Sequence, residues 1–278
     1  MPLSKKILLL LLLSFSAISI GAQLSLSGSF VQGGLVTGKS PPGTRVMVDG
    51  EPVRVSEEGY FLVGFDRDHA ATSLVKAVYA DGSVESRTLQ VKKRDYDIQR
   101  IDGLPKRKVT PEKIDYARIR KEAEAIKLAR RRDDQRTDFL SGWIWPVEGP
   151  ISGVYGSQRV LNGEPRRPHY GVDIAVPVGT PVKAPADGTV TLAHPDMFYS
   201  GATLVLDHGH KLSSSFLHLN RTLVKVGDRI RKGDIIAEVG ATGRVTGAHL
   251  DWRMNLRDVR IDPQLLAGDM PKQQSDRN

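Results

Sequence analysis

His169-Tyr170-Gly171-Val172-Asp173-Ile174-Ala175-Val176-Pro177 decides how the C-terminal half of this chain is read. Gly171, Pro177 and the β-branched Val172, Ile174 and Val176 argue against a helix and for an extended strand. In a strand, residues two and four apart share a face, so His169 and Asp173 are expected side by side. Working outward, the same spacing logic applies to His249 and Asp251 in Gly247-Ala248-His249-Leu250-Asp251-Trp252. His218 closes a further strand-like segment, Ser215-Phe216-Leu217-His218-Leu219. Of 7 histidines, only His69 lies outside the tract that begins at His169.

Neutral nitrogen ligands clustered beside carboxylates are how proteins build open zinc sites. Three strands could bring these five groups together. Three would bind metal and leave a position for water, and two would handle protons and developing charge. Each element is weak alone, because a single histidine on a strand is usually a satisfied core or surface residue. Spacing by itself leaves two readings open, a metallohydrolase and a non-catalytic β domain. His208 and His210 follow Asp207 at a turn, and His194 precedes Pro195; all three read as loop residues rather than ligands.

The 278 residues allow one large domain or two ordinary ones. Lys5 and Lys6, the apolar run Ile7 to Leu13 and the small pair Gly21-Ala22 read as a secretory signal peptide over residues 1–22. The apolar run is shorter than a spanning helix needs, so no stable membrane span is expected after cleavage. The destination is the periplasm or cell envelope. The chain has no cysteine, so disulfides are excluded and burial must hold the domains. Its formal net charge of +8, reduced by two when Lys5 and Lys6 leave, draws it towards anionic polymers or surfaces. No nucleic-acid partner is expected.

The fold class expected is mainly β. Residues 23–95 carry short strands separated by Asp49-Gly50, Glu58-Gly59 and Asp81-Gly82, the signature of a small β-sandwich. Residues 96–138 read as a charged linker with a helix. Thr110-Pro111-Glu112 supplies a helix start, and Ile119, Ala123, Ile126 and Ala129 supply a thin apolar stripe. Such a helix is expected to space two independently folded domains. Residues 139–268 turn to Gly, Pro, Val and Thr, with strand-like segments at Thr189–Leu192, Thr203–Leu206 and Asp234–Val239. This predicts a mostly antiparallel β domain, followed by a flexible tail over 269–278.

The tract from Trp145 to about Leu266 resembles the lysostaphin/LytM-type zinc metallo-endopeptidases of metallopeptidase family 23. The matching pieces are Trp145-Pro146, Gly153-Val154-Tyr155-Gly156, His169-Tyr170-Gly171-Val172-Asp173, Gly179 to Val190, Asp207-His208-Gly209, Phe216-Leu217-His218-Leu219, Gly240-Ala241-Thr242-Gly243 and Gly247-Ala248-His249-Leu250. They run in the family's order. The resemblance implies a peptidoglycan endopeptidase with one zinc ion. It assigns His169 and Asp173 as metal ligands and His218 and His249 as catalytic groups. The family's third ligand is the second histidine of a His-x-His motif, and here it is Asp251.

Aspartate is an accepted zinc ligand, but a second carboxylate should make the bound water less acidic. It also opens the site to manganese or iron. Arg244 either contacts a substrate carboxylate or solvates a turn. The implied partners are peptidoglycan and, in a non-catalytic alternative, a cell-wall amidase or another envelope protein that an inactive domain of this type would activate or bind.

Overall fold

A computed structural model describes residues 23–271. The expected signal peptide, and residues 272–278 of the expected tail, lie outside the described residues. Among those described, no helix is long and apolar enough to cross a membrane.

The first strands are β1 (Ser25–Gly28), β2 (Leu35–Lys39), β3 (Arg45–Val48), β4 (Glu51–Val53), β5 (Tyr60–Gly64), β6 (Thr72–Val78) and β7 (Val84–Gln90). They form two antiparallel sheets, in the orders β1-β2-β5 and β4-β3-β6-β7. Strict alternation along β6 buries Ser73, Val75 and Ala77 and exposes their neighbours. Val36, Val46, Phe61, Val63, Phe65 and Val75 from both sheets share one core. The β3–β4 hairpin turns at Asp49 (φ 50°) and Gly50 (φ 86°). Two successive positive φ values define the tight turn that matches strand twist.

The connecting segment lays one face on its neighbour, as its thin apolar stripe suggests. β8 (Ile98–Ile101) pairs in parallel with β10 (Gln158–Leu161). Helix α1 (Lys106–Val109) ends at Thr110, so Thr110 closes one helix rather than opening the next. Helix α2 (Asp115–Ala129) begins later, where Asp115 accepts the Glu112 backbone N–H at 3.1 Å and is held by Arg107. Its Ala125, Ile126 and Ala129 pack on Leu192, Met197 and Val205. Leu35 and Leu62 join the core of the C-terminal half, and Arg94 bonds Asp262 at 2.8 Å. These contacts carry the packing of both halves across the junction.

The C-terminal half contains β9 (Ile151–Gly153), β11 (Glu164–Pro165), β12 (Val172–Ile174), β13 (Pro181–Lys183), β14 (Gly188–Met197), β15 (Gly201–Asp207), β16 (Leu212–Thr222), β17 (Arg229–Ile230), β18 (Ile235–Val239), β19 (Leu250–Leu256) and β20 (Val259–Ile261). Antiparallel pairing gives the order β17-β14-β15-β16-β19-β12-β9, with β13, β18 and β20 branching from it. The segments expected as strands fall in β14, β15 and β18. The core beneath includes Ile174, Leu204, Phe216, Leu219 and Trp252, all fully buried. Trp145 meets Trp252 edge-on at 5.8 Å, and its indole N–H donates to the Gly268 carbonyl at 3.2 Å. The molecule is mainly β, as expected.

Candidate metal centre

The central pairing is β12 against β19, whose register sets Asp173 directly opposite Asp251. Cross-strand partners on one face lie close enough for their side chains to interact. Both aspartates are buried, Asp251 completely. His169 reaches them from the loop before β12 rather than from the strand itself, as its four-residue spacing had suggested. That loop is clamped by the His169 N–H donating to the Ser157 carbonyl (2.8 Å) and the Gly156 N–H donating to the His169 carbonyl (2.7 Å). The result still brings His169 Nε2 to 3.1 Å from Asp173 Oδ1.

One ligand atom from each of His169, Asp173 and Asp251 lies within 4.8 Å of the others. His169 Nδ1 and Nε2 and Asp173 Oδ1 are buried without a hydrogen-bond partner. Buried polar atoms are normally satisfied. Two ligands about 2.0–2.1 Å from one tetrahedral ion stand roughly 3.3 Å apart, which the His169–Asp173 approach matches. The residues therefore fit a divalent ion.

Each carboxylate is also held by an arginine that the spacing argument passed over. Arg159 bonds Asp173 Oδ2 at 2.5 Å, leaving Oδ1 free. Arg253 bonds both oxygens of Asp251, at 2.9 and 2.5 Å. Arg253 was legible as the i+2 neighbour of Asp251 on the same face; Arg159 carries no such signal. Burial opposes ionisation of both aspartates. The charge of Arg253 nevertheless holds the Asp251 carboxyl far below the usual range. Asp173, further opposed by Asp251, is kept low by His169 and Arg159. Each of the two carboxylates thus has a guanidinium beside it.

Space for this arrangement comes from two glycines. A Cβ at Gly171 would fall 2.6 Å from Arg253 Cγ and 2.7 Å from Asp251 Oδ1, and one at Gly153 would strike the Asp173 carboxylate.

His218 and His249 flank the cluster with ring centroids 4.9 Å apart. His218 sits in β16 at a left-handed φ of 62°, beside a register shift in the β15–β16 pairing. Its Nδ1 lies 2.8 Å from the Thr242 carbonyl. A carbonyl only accepts, so the proton is on Nδ1 and Nε2 carries the lone pair. Burial pulls His218 down to about 4, against the pull of Asp251, so it is neutral near pH 7. His249 makes the equivalent bond to the Gly247 carbonyl at 3.0 Å, and its Nε2 stands 3.9 Å from Asp173 Oδ1.

Arg244 does not merely solvate a turn. It stacks over Tyr199 at 4.7 Å and lines a groove that His218 also lines. His208 and His210 lie in the turn between β15 and β16, as expected, and both are buried. His208 sits between the Asp187 carbonyl and the Ser214 hydroxyl, each 2.6 Å away, and His210 packs edge-on against Phe139.

The profile of Peptidase family M23 matches residues 167–263, which contain all five groups. A crystal structure from Pseudomonas aeruginosa assigned to peptidase M23 is 32% identical; the match covers 86% of this chain and 95% of that one, with a TM-score of 0.67. The chain belongs to peptidase family M23. Similar curated relatives of the M23 chain include the peptidoglycan DD-endopeptidase ShyB of Vibrio cholerae, 40% identical over 37% of this chain and 24% of that protein. The lipoprotein NlpD/LppB homolog of Pseudomonas aeruginosa is 35% identical over 45% of this chain and 39% of that protein. The chain thus matches less than half the length of either curated relative.

Proposed function

We propose that this M23 chain is an exported, zinc-dependent endopeptidase hydrolysing the peptide cross-links of bacterial peptidoglycan. The observation that carries this reading is the buried convergence of His169, Asp173 and Asp251, with His249 Nε2 3.9 Å from Asp173 and the His218 ring against that of His249. In this reading His169, Asp173 and Asp251 hold one ion, with manganese or iron as substitutes for zinc in a carboxylate-rich set. Bound there, the ion would acidify a water and polarise the scissile carbonyl.

The chain's own groups do the rest. Arg159 and Arg253 orient the ligating carboxylates, as hydrogen-bonded partners of metal ligands do. His218, neutral and fixed in one tautomer, accepts a proton at Nε2. His249 stands ready to stabilise developing negative charge, and Arg244 contacts the substrate. The N-terminal basic and apolar run and the envelope character of the relatives' names support residence in the periplasm or cell envelope.

One observation favours a second reading. Arg253 already engages both oxygens of Asp251, which suits a metal-free domain that binds wall or activates a cell-wall amidase. Incubating the full chain with cross-linked muropeptide dimers and weighing the products by mass spectrometry separates the two. The endopeptidase reading expects monomers that disappear with chelator and return with zinc. Intact dimers with zinc, manganese and iron each supplied would overturn it.

A further inference from the structure

The sheet face beneath α2 has a composition that packing does not explain. Alternation along β16 and β19 puts Ser213, Ser215 and Leu217 on one face beside Arg253 and Asn255, with Ser215 opposite Arg253 and Ser213 opposite Asn255. β20 adds Arg260 opposite Asn255. A sheet face under a helix is ordinarily apolar. Here serine, asparagine and arginine border a groove of about 750 Å³ between the sheet and α2, and His218 is part of its lining.

Arg130, just past α2, reaches into this groove and donates to the Ser215 hydroxyl at 2.8 Å. Its Nε is fully buried with no partner among the described residues. Arg260 enters from the other wall and donates to Asn255 Oδ1 at 3.0 Å. Among the described residues neither arginine has a carboxylate within 4.0 Å, whereas Arg253 beside them is satisfied by Asp251. Burial, then the like charges of Arg260 and Arg253, pull Arg130 down to about 9. Cations withdrawn from water normally keep a counter-ion, and this partly buried pair has none among the described residues.

We propose that Arg130 and Arg260, from opposite walls of the groove, form a subsite for a free carboxylate carried by the peptide substrate. The arginine fork matches a carboxylate's two oxygens. Ser215 and Asn255 hold the two guanidinium groups in place. His218 lies three positions beyond Ser215 along β16, roughly 10 Å at strand spacing. A peptide with its scissile bond at the His169–Asp173–Asp251 cluster would therefore lay an acidic group, a few residues away, between the two arginines. The substrate class rests on the peptidase reading; the anion site itself does not.

The test is calorimetric binding to the full chain in chelator, where cleavage is not required. The probes are a cross-linked stem-peptide dimer with free carboxylates and the same dimer with those carboxylates amidated. A charged hydrogen-bonded pair supports a preference of about tenfold or more for the acid. Arg130→Gln and Arg260→Gln should each remove most of that preference. In the zinc-loaded protein they should raise KM with little change in kcat. Because the two arginines stand on different elements, a folding defect in one variant leaves the other informative. Equal affinity for acid and amide overturns the subsite, as does a phosphate-rich wall polymer that outcompetes the acidic peptide. Acid-selective binding without hydrolysis would keep the subsite and refute the peptidase reading; hydrolysis without selectivity would do the reverse.

Discussion

Replacing Arg253 by methionine should destabilise the metal-free protein strongly and the metal-loaded protein much less. Asp251 is wholly buried, and Arg253 supplies bonds to both of its oxygens. Methionine keeps most of the side-chain volume and removes the charge. The carboxylate then has no cation of its own, and breaking one side of a buried pair costs about 3–5 kcal/mol. Divalent metal restores a cation at the same oxygens. A ligand at a hundred times its dissociation constant adds about 2.7 kcal/mol of folding stability, an increment that should be larger in the variant. Urea unfolding of wild type and variant, each with chelator and with saturating zinc, gives the four free energies required. A loss below about 1 kcal/mol in chelator, or an equal loss with and without zinc, would refute the reasoning.

Further outcomes follow from particular contacts. Gly171→Ala should weaken zinc affinity in equilibrium dialysis and lower stability by about 1–3 kcal/mol, because its Cβ meets both Asp251 and Arg253. His208 is held neutral, its pKa lowered by burial to about 4 from the usual 6.5. The unfolded chain therefore takes up this proton first, and stability should fall as pH drops from about 6.5 towards 4. His208 alone can contribute about 3 kcal/mol to that fall; urea midpoints across that range should fall less steeply in His208→Gln, with His210 and His218, also lowered by burial to about 4, keeping the rest. A fragment of residues 139–278 should be less stable than one starting before β8, because it lacks Ala125, Ile126 and Ala129 against the sheet and the β8–β10 pairing. Thermal unfolding of the two fragments checks this.

Much of the candidate site was legible because strand alternation and a run of ordered motifs constrain the same residues. Asp173 and Asp251 are cross-strand partners, which their two strands' patterns anticipated without giving the register. His169 was placed correctly in company but wrongly in conformation, since a clamped loop can deliver a side chain where a strand was assumed. Arg159 escaped notice because β10 contacts Asp173 only through tertiary packing. The connecting helix was found, but its start was misplaced: Thr110-Pro111 fits the close of one helix as well as the opening of another. Its thin apolar stripe marked one face for a neighbour without saying which, and Arg130 finds its partner at Ser215, 85 residues away.

The account turns on Asp251 as a working ligand, and the zinc content of the purified full chain tests it most directly. After dialysis against buffered free zinc, plasma emission should find about one ion per wild-type chain, far less in Asp251→Ala, and undiminished occupancy in Asp251→His. Wild type that holds no zinc, manganese or iron under these conditions, while Asp251→His binds one ion, would contradict the account and make the Asp251–Arg253 pair a replacement for the metal rather than a support for it.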